Sequence, residues 1–235
     1  KDCLDAVQMG KDFDGSSIKI VTENIVQEIL TNERVLYSLT DIHAKDDWLF
    51  THSLNVCVLS VIIGIDYKLN KEKLQELAVG ALLHDIGVTG LPEEIVNRKG
   101  ILSLTEAKSF QNHCSLGFDI LRKKHNFSLL SSHVALQHHE RVDGTGYTRG
   151  LTSNEILPYA KIVSICNIYN NLLNNQHERL MPHEAYEVIL GLAGRYFDLE
   201  TVTHFIKNVA IYPTGICVRL NTGEVGVVVD QNLES

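Results

Sequence analysis

Apolar residues recur every three to four positions along most of the chain, which is the spacing of one face of an α-helix. The pattern predicts amphipathic helices around residues 18–29, 54–65 and 74–82. The first stripe comprises six apolar positions: Ile18, Ile20, Val21, Ile25, Val26 and Ile29. The third helix runs directly into His84 and Asp85, so it should present these polar residues at its C-terminal end, just before Gly87.

Turn and cap signals divide the next part of the chain. Residues 87–100 contain Gly and Pro and predict a loop with at most one short helix, at 93–97. Ser103 and Glu106 have the spacing of a capping box, so we expect a helix that starts there and carries His113. Further helices are predicted at 129–140, 156–174, 182–192 and 199–209; the first ends in His138-His139 and is followed by a turn at 143–146.

The C-terminal part has a different pattern. Residues 216–220 and 225–230 are rich in β-branched residues and flank Asn221-Thr222-Gly223-Glu224, a good hairpin signal. The predicted fold class is therefore all-α, a helical bundle with a small C-terminal β-hairpin. We expect an N-terminal helical segment at 1–44, the main helical domain at 45–211 and a hairpin packed on it at 212–235.

Composition limits the function. The 235 residues are 44% hydrophobic and 21% charged, enough for one large domain or for one domain with a small appendage. The net charge of −8 and the pI near 5.7 argue against a nucleic-acid polymer as partner. The most apolar run, 54–65, is interrupted by Asn55 and Ser60 and is too short to span a bilayer, so we expect a cytoplasmic protein. The five cysteines include no CxxC pair, which favours reduced core residues. The chain starts without Met, so it is compatible with a piece of a longer protein that has an upstream sensor region.

Several histidines are candidate ligands for a metal ion. His52, the pair His84-Asp85, His113 and the pair His138-His139 lie on or at the ends of predicted helices, and neutral imidazole with carboxylate suits divalent Fe, Mn or Zn. A single histidine is more often structural than a ligand. That simpler interpretation is kept for His43, His125, His133, His177, His183 and His204.

Together these motifs resemble the HD-GYP branch of the HD-domain phosphohydrolases, over about residues 23–230. The matching stretches are His52-Ser53-Leu54-Asn55-Val56, His84-Asp85-Ile86-Gly87, His113, residues 138–147 and Tyr212-Pro213-Thr214-Gly215. The resemblance implies an HD-domain helical bundle with two or sometimes three metal ions, usually Fe or Mn. Zn and Ni are alternatives because they also accept histidine and carboxylate ligands. It also implies hydrolysis of cyclic di-GMP, or a related cyclic dinucleotide, to linear products.

The resemblance assigns roles to individual residues. Asp85 would be the catalytic residue and bridge two metals; His52, His84 and Asn167 would hold one ion, and His113, His138 and His139 the other. Between two such ions a water would lose its proton near neutral pH and attack phosphorus. The substrate-side residues would be Asp143, Gly146, Tyr147 and Arg179. For the Gly144-Thr145-Gly146-Tyr147 segment (the GTGY loop), the alternative is a simple helix C-cap and turn.

Several positions depart from the family pattern. Val88 replaces a Lys after the HD pair, Thr148 replaces the Pro of GYP, and Asn167 replaces an Asp ligand, which should weaken the first metal position. Gln176 stands in a normally basic stretch of which only Arg179 remains cationic. Trp48 stands where members with three metals have Glu, so we expect two metals at most.

Three hypotheses remain open. The first is a metal-dependent cyclic-dinucleotide phosphodiesterase whose activity these departures could reduce. The second is a degenerate module that binds metal or nucleotide and contacts a signalling partner, for example through the GTGY loop. The third is an HD phosphohydrolase for another nucleotide. The helix at 18–29 could also mediate a homodimer, although packing on its own domain is the commoner use of such a stripe.

Overall fold

The structure, a computed structural model, describes residues 5–6, 11, 13–31, 48–98, 100–174 and 179–231. The predictions for His43, Gln176, His177 and Cys3 lie outside these residues. The elements are α1 Gly15–Thr31, α2 Trp48–Asp66, α3 Lys71–Leu82, a 3₁₀ helix Ile86–Gly90, α4 Glu93–Val96, α5 Leu104–Gln111, α6 His113–Arg122, α7 Leu129–Gln137, α8 Pro158–Asn174, α9 Pro182–Gly191, α10 Leu199–Asn208, β1 Cys217–Arg219 and β2 Val225–Val227.

Helix α2 is the centre of the core. It packs against α3 and α8, and its residues Val56, Val61 and Ile63 are completely buried. It begins at Trp48, before the predicted apolar run, and at 19 residues it is long and apolar enough to cross a bilayer by length and composition. However, 67% of its most apolar window is buried inside the domain, which is the burial of a core helix.

The predicted face of α1 is partly wrong. Ile20 and Val21 are 58% and 46% exposed, whereas Thr22 and Val26 are completely buried. The Thr22 hydroxyl donates to the carbonyl oxygen of Ile18 at 2.9 Å and accepts from the Gln75 side chain at 2.6 Å. A polar residue with both partners can be buried at low cost, which lets the buried stripe rotate away from Ile20.

Two boundaries near the candidate ligands also differ from prediction. Residues 86–90 form a 3₁₀ helix rather than loop. The predicted capping box of Ser103 and Glu106 is present, but α5 ends at Gln111, so His113 is the first residue of α6. The chain turns at Asn112, whose N–H donates to the Ser109 carbonyl and whose carbonyl starts α6. No Gly or Pro marks this break in the sequence.

The C-terminal hairpin is confirmed. Strands β1 and β2 are antiparallel, with Cys217 opposite Val227, and Gly223 takes the positive φ of +92° that the turn requires. The all-α class with a small hairpin is thus confirmed, while the division at 44/45 and 211/212 stays a prediction.

The four described cysteines are free; Cys57, Cys114 and Cys166 are buried, but Cys217 is exposed on β1, so the core interpretation is wrong for that residue.

Candidate metal centre

Four separate chain segments bring the predicted ligands together. His52 lies on α2, His84 and Asp85 follow the end of α3, His113 begins α6, and His138-His139 follow the end of α7. His52, His84, Asp85, His113 and His138 are all buried. These residues are distant in sequence. They come together because α3 and α7 end, and α6 begins, at the same point in the core.

The Asp85 carboxylate lies at the middle of this cluster. Its Oδ1 is 3.3 Å from Nε2 of His113 and 3.3 Å from Nε2 of His138. Its Oδ2 is 3.3 Å from Nε2 of His84 and 3.7 Å from Nε2 of His52. Each oxygen thus faces its own pair of imidazoles.

Hydrogen bonds fix which ring nitrogen faces Asp85. The Nδ1 atoms of His84, His113 and His138 donate to the backbone carbonyls of Ala81, Phe110 and Ala135 at 2.8, 2.6 and 3.0 Å. Since a carbonyl oxygen can only accept, these Nδ1 atoms carry the protons. Each ring then presents Nε2, rather than Nδ1, to the carboxylate.

His52 is oriented in the same way by a side chain. Its Nδ1 lies 2.7 Å from Oδ1 of Asn170 on α8. The Nε2 atoms of His52 and His84 are buried without a hydrogen-bond partner. Lone pairs that face a carboxylate repel it unless a cation lies between them, so this donor set fits divalent metal ions.

The protonation states suit metal binding. Burial lowers the pKa of both His52 and His138 to about 4 and that of His139 well below its usual range. Burial also lowers the pKa of His84, but the Asp85 carboxylate outweighs it and the net shift is upward. Burial opposes ionisation of Asp85, yet the surrounding imidazoles hold its pKa well below the usual range. His52, His138 and His139 are therefore neutral imidazoles near an ionised carboxylate.

His139 is the least buried of the candidate histidines. Its ring centroid is 4.2 Å from that of His138 and 5.2 Å from that of His113. It also stacks on Tyr147 of the GTGY loop, with 4.7 Å between centroids. The potential ligand atoms fall into two groups, His52-His84-Asp85 and His113-Cys114-His138-His139.

Asn167 is also buried in this region, on α8 one turn before Asn170 and Asn171. Its Oδ1 accepts from the Nδ2 amide of Asn171 at 2.8 Å. The oxygen that would serve as a metal ligand is thus already hydrogen-bonded within α8.

The GTGY loop is closed against the histidine pair by two features. Gly146 lies so close to the chain that an added Cβ would be 2.4 Å from the Arg141 nitrogen and 2.6 Å from the His139 oxygen. The buried Glu140 carboxylate accepts from the backbone N–H groups of Arg149 and Leu151 at 2.6 and 2.9 Å. The loop is therefore more than a simple helix C-cap.

Replacing Glu140 with glutamine should destabilise this loop. The amide NH₂ of glutamine would face the N–H group of Arg149 or Leu151, and that N–H group would lose its acceptor. We therefore expect a loss of about 1–3 kcal/mol in the free energy of unfolding. Urea unfolding measures it. Glu155→Gln is the control, because exposed Glu155 makes similar bonds to Thr152 in water. Equal losses in both variants would contradict the role of Glu140.

The other predicted substrate residues differ in their setting. Tyr147 faces His139, whereas the exposed Asp143 carboxylate accepts from the N–H and hydroxyl of Thr145 at 3.0 and 2.6 Å, forming the predicted turn. Arg179 is exposed, and no hydrogen bond or ion pair joins it to the centre among the described residues.

Two of the departures from the family pattern have structural explanations. Val88 is only 5% exposed and packs in the core, so this position presents no cation to a ligand. Trp48 stacks on His52 with 5.0 Å between ring centroids and nearly parallel planes. The indole ring of Trp48 thus covers His52 at the position where members with three metals have a glutamate.

Sequence reasoning missed three residues at the centre: Asn170, Glu140 and Cys114. Asn170 carried a signal, since it stands three positions after Asn167 on the same helix. Glu140 directly follows the histidine pair, and Cys114 follows His113. The roles of these residues depend on contacts that adjacency alone does not reveal.

The metal-free protein should lose stability as the pH falls from about 6.5 to about 4, the ordinary and folded-state pKa values of His52 and His138. In this window the unfolded histidines bind protons and the folded ones do not, so stability rises with pH. His84 shifts the other way, but His52, His138 and His139 together outweigh it. Thermal melts of chelator-treated protein across this range measure the effect. His138→Gln should flatten the dependence of the melting temperature on pH. The control His125→Gln, at an exposed site, should leave this dependence unchanged. A wild-type melting temperature that does not vary with pH would contradict the prediction.

Comparison with known proteins identifies the family to which the chain belongs. The sequence profile of the HD domain matches residues 37–201. A cyclic di-GMP phosphodiesterase of Pseudomonas aeruginosa is 31% identical over 227 residues, 96% of this chain and 55% of the relative. A 3'3'-cGAMP-specific phosphodiesterase of Vibrio cholerae is 28% identical, over 74% of this chain and 44% of the relative. The chain thus spans about half the length of these curated relatives.

A solved structure has the same fold. An HDGYP protein of Bdellovibrio bacteriovorus superposes with a TM-score of 0.67 at 24% identity, over 81% of this chain and 61% of that one. The chain belongs to the HD-domain family. The predicted resemblance to its HD-GYP branch is confirmed, as is the predicted helical fold.

Proposed function

We propose that the protein is a metal-dependent phosphodiesterase that hydrolyses cyclic di-GMP or a related cyclic dinucleotide. The observation that carries the proposal is the Asp85 carboxylate, each of whose oxygens faces two imidazole Nε2 atoms at 3.3–3.7 Å. The activities of the Pseudomonas and Vibrio relatives support this substrate class.

We assign His52 and His84 to one divalent ion and His113, His138 and His139 to a second, with Asp85 between them. Fe or Mn is the expected metal, and Zn and Ni are the alternatives. When bound, the ions supply an activated water and neutralise charge on the phosphate. The protein orients the imidazoles through the carbonyls of Ala81, Phe110 and Ala135 and through Asn170.

The GTGY loop forms the proposed substrate side. Burial raises the pKa of Tyr147, so its hydroxyl remains protonated and can donate to a phosphate oxygen. Gly146 holds the loop against the histidine pair, and Asp143 acts through the turn it forms with Thr145. Arg179 would supply positive charge for the second phosphate from the segment after α8.

The test is hydrolysis by protein loaded with Mn²⁺ or Fe²⁺, with cyclic di-GMP and 3'3'-cGAMP as separate substrates and the linear product measured. We expect turnover that His84→Ala abolishes and that His125→Ala, at an exposed histidine, leaves intact. If neither substrate is turned over above the His84→Ala background, the proposed activity is wrong.

One observation favours a degenerate module instead: Asn167 stands where an Asp ligand is expected, and its oxygen already accepts from Asn171. On this alternative, Asn167→Asp should raise both metal content and activity from a low wild-type level. Asn126→Asp, which adds the same charge at an exposed site between α6 and α7, should change neither. Rapid turnover by the wild type would exclude this alternative.

A cytoplasmic location is part of the proposal. It is supported by the four free cysteines of the described residues, which suit a reducing compartment. The homodimer and a signalling partner at the GTGY loop stay predictions, which size measurements and binding assays on the GTGY loop variants can check.

A further inference from the structure

Cys114 is a thiol inside the proposed metal centre. It is completely buried at the second position of α6, and its Sγ lies 3.3 Å from Nε2 of His113. The ligand atoms of His113, Cys114, His138 and His139 all lie within 4.8 Å of one another. The thiol therefore faces the same point as three of the assigned imidazoles.

The spacing fits a shared ion. Bonds of about 2.1 Å to nitrogen and about 2.3 Å to sulfur in tetrahedral geometry place the two atoms about 3.6 Å apart. The 3.3 Å between Sγ and Nε2 of His113 is close to this value, so a small movement of either side chain suffices. Asp85 Oδ1 lies 3.3 Å from the Nε2 atoms of both His113 and His138, on the same side of the cluster.

The hydrogen bond at the other ring nitrogen of His113 agrees with this contact. Nδ1 of His113 is committed to the Phe110 carbonyl, so Nε2 of His113 holds a lone pair next to Sγ. In the metal-free protein the S–H group can donate to that lone pair. A cation that takes the nitrogen lone pair removes this acceptor and leaves the sulfur facing the ion.

We propose that Cys114 is a thiolate ligand of the second metal position and makes this position selective for thiophilic divalent ions such as Zn²⁺, Fe²⁺ or Co²⁺ over Mn²⁺. The inference rests on the metal centre of the proposed function. On binding, the S–H bond breaks, the proton goes to solvent, and the sulfur electron pair forms the bond to the metal without any change of oxidation state. The preference follows because soft thiolate ligands favour these ions over Mn²⁺.

Cobalt titration of the purified chain tests the ligand directly. Wild-type protein with Co²⁺ should show a thiolate-to-cobalt charge-transfer band in the near ultraviolet. Cys114→Ala should lose this band and bind Co²⁺ and Zn²⁺ at least roughly tenfold more weakly, with a smaller change for Mn²⁺. Cys57→Ala is the matched control, because Cys57 is an equally buried thiol on α2 whose Sγ contacts the Ala78 carbonyl.

The outcomes separate this inference from the proposed function. Cobalt binding with a band that is absent from Cys114→Ala and present in Cys57→Ala supports the ligand. Cobalt binding without a band, or a band that survives Cys114→Ala, overturns the role of Cys114 and leaves the histidine centre intact. A wild-type chain that binds no cobalt, zinc or manganese overturns both.

Discussion

Replacing Asp85 with asparagine should abolish metal-dependent activity and lower metal affinity more than about 100-fold, because the loss of an outer partner of a ligand alone costs 10–100-fold. Asp85 is the group that both pairs of imidazoles face, so an amide there removes the negative charge shared by the two proposed positions. Metal content per chain by elemental analysis, together with the hydrolysis assay, measures both losses.

Asp66→Asn is the control for Asp85→Asn. The Asp66 carboxylate lies 2.5 Å from Nδ1 of His204, at the end of α2 and outside the centre. This variant should destabilise the protein and keep its metal. If Asp85→Asn retains full metal content, Asp85 does not join the two positions.

Gly87→Ala should be the most damaging single methyl addition in the centre. A Cβ at Gly87 would lie 1.9 Å from the His113 carbonyl oxygen and 2.5 Å from the Gly117 nitrogen, both of them backbone atoms of α6. The 3₁₀ helix and α6 would have to separate, which would move His113 away from Asp85. We expect a loss of about 3 kcal/mol or more in the free energy of unfolding.

Gly90→Ala provides a control within the same 3₁₀ helix. The nearest atom to its added Cβ is the flexible end of Leu116 at 3.7 Å, an ordinary contact. Chemical denaturation and metal content of both variants test the contrast. Similar stabilities would mean that the 3₁₀ helix does not need its close contact with α6.

The sequence predicted those parts of the centre that local patterns determine. His84 and Asp85 follow a helix whose apolar stripe is regular, and His138 and His139 follow another, so their placement at helix ends could be read from the chain. The structure brings both pairs together with His52 and His113, as the motifs implied. The assignment of each residue to a metal remains a prediction.

The parts that could not be predicted depend on long-range contacts. His113 was placed on the helix that Ser103 caps, because nothing in the sequence marks the break at Asn112. The contact of Asn170 with His52 joins residues separated by 118 positions, and the burial of Thr22 depends on Gln75. Local periodicity carries no information about such partners.

The hydrogen bonds from imidazole Nδ1 to the carbonyls of Ala81, Phe110 and Ala135 have a consequence for folding. Each carbonyl belongs to the last turn of a helix or to the turn just before a new one, so each ring is an extension of a helix end. Ions held by these rings would join α3, α6 and α7 only in the folded chain, so the free energy of metal binding would add to the free energy of folding. Metal supply would then set the lifetime of the folded chain as well as its chemistry.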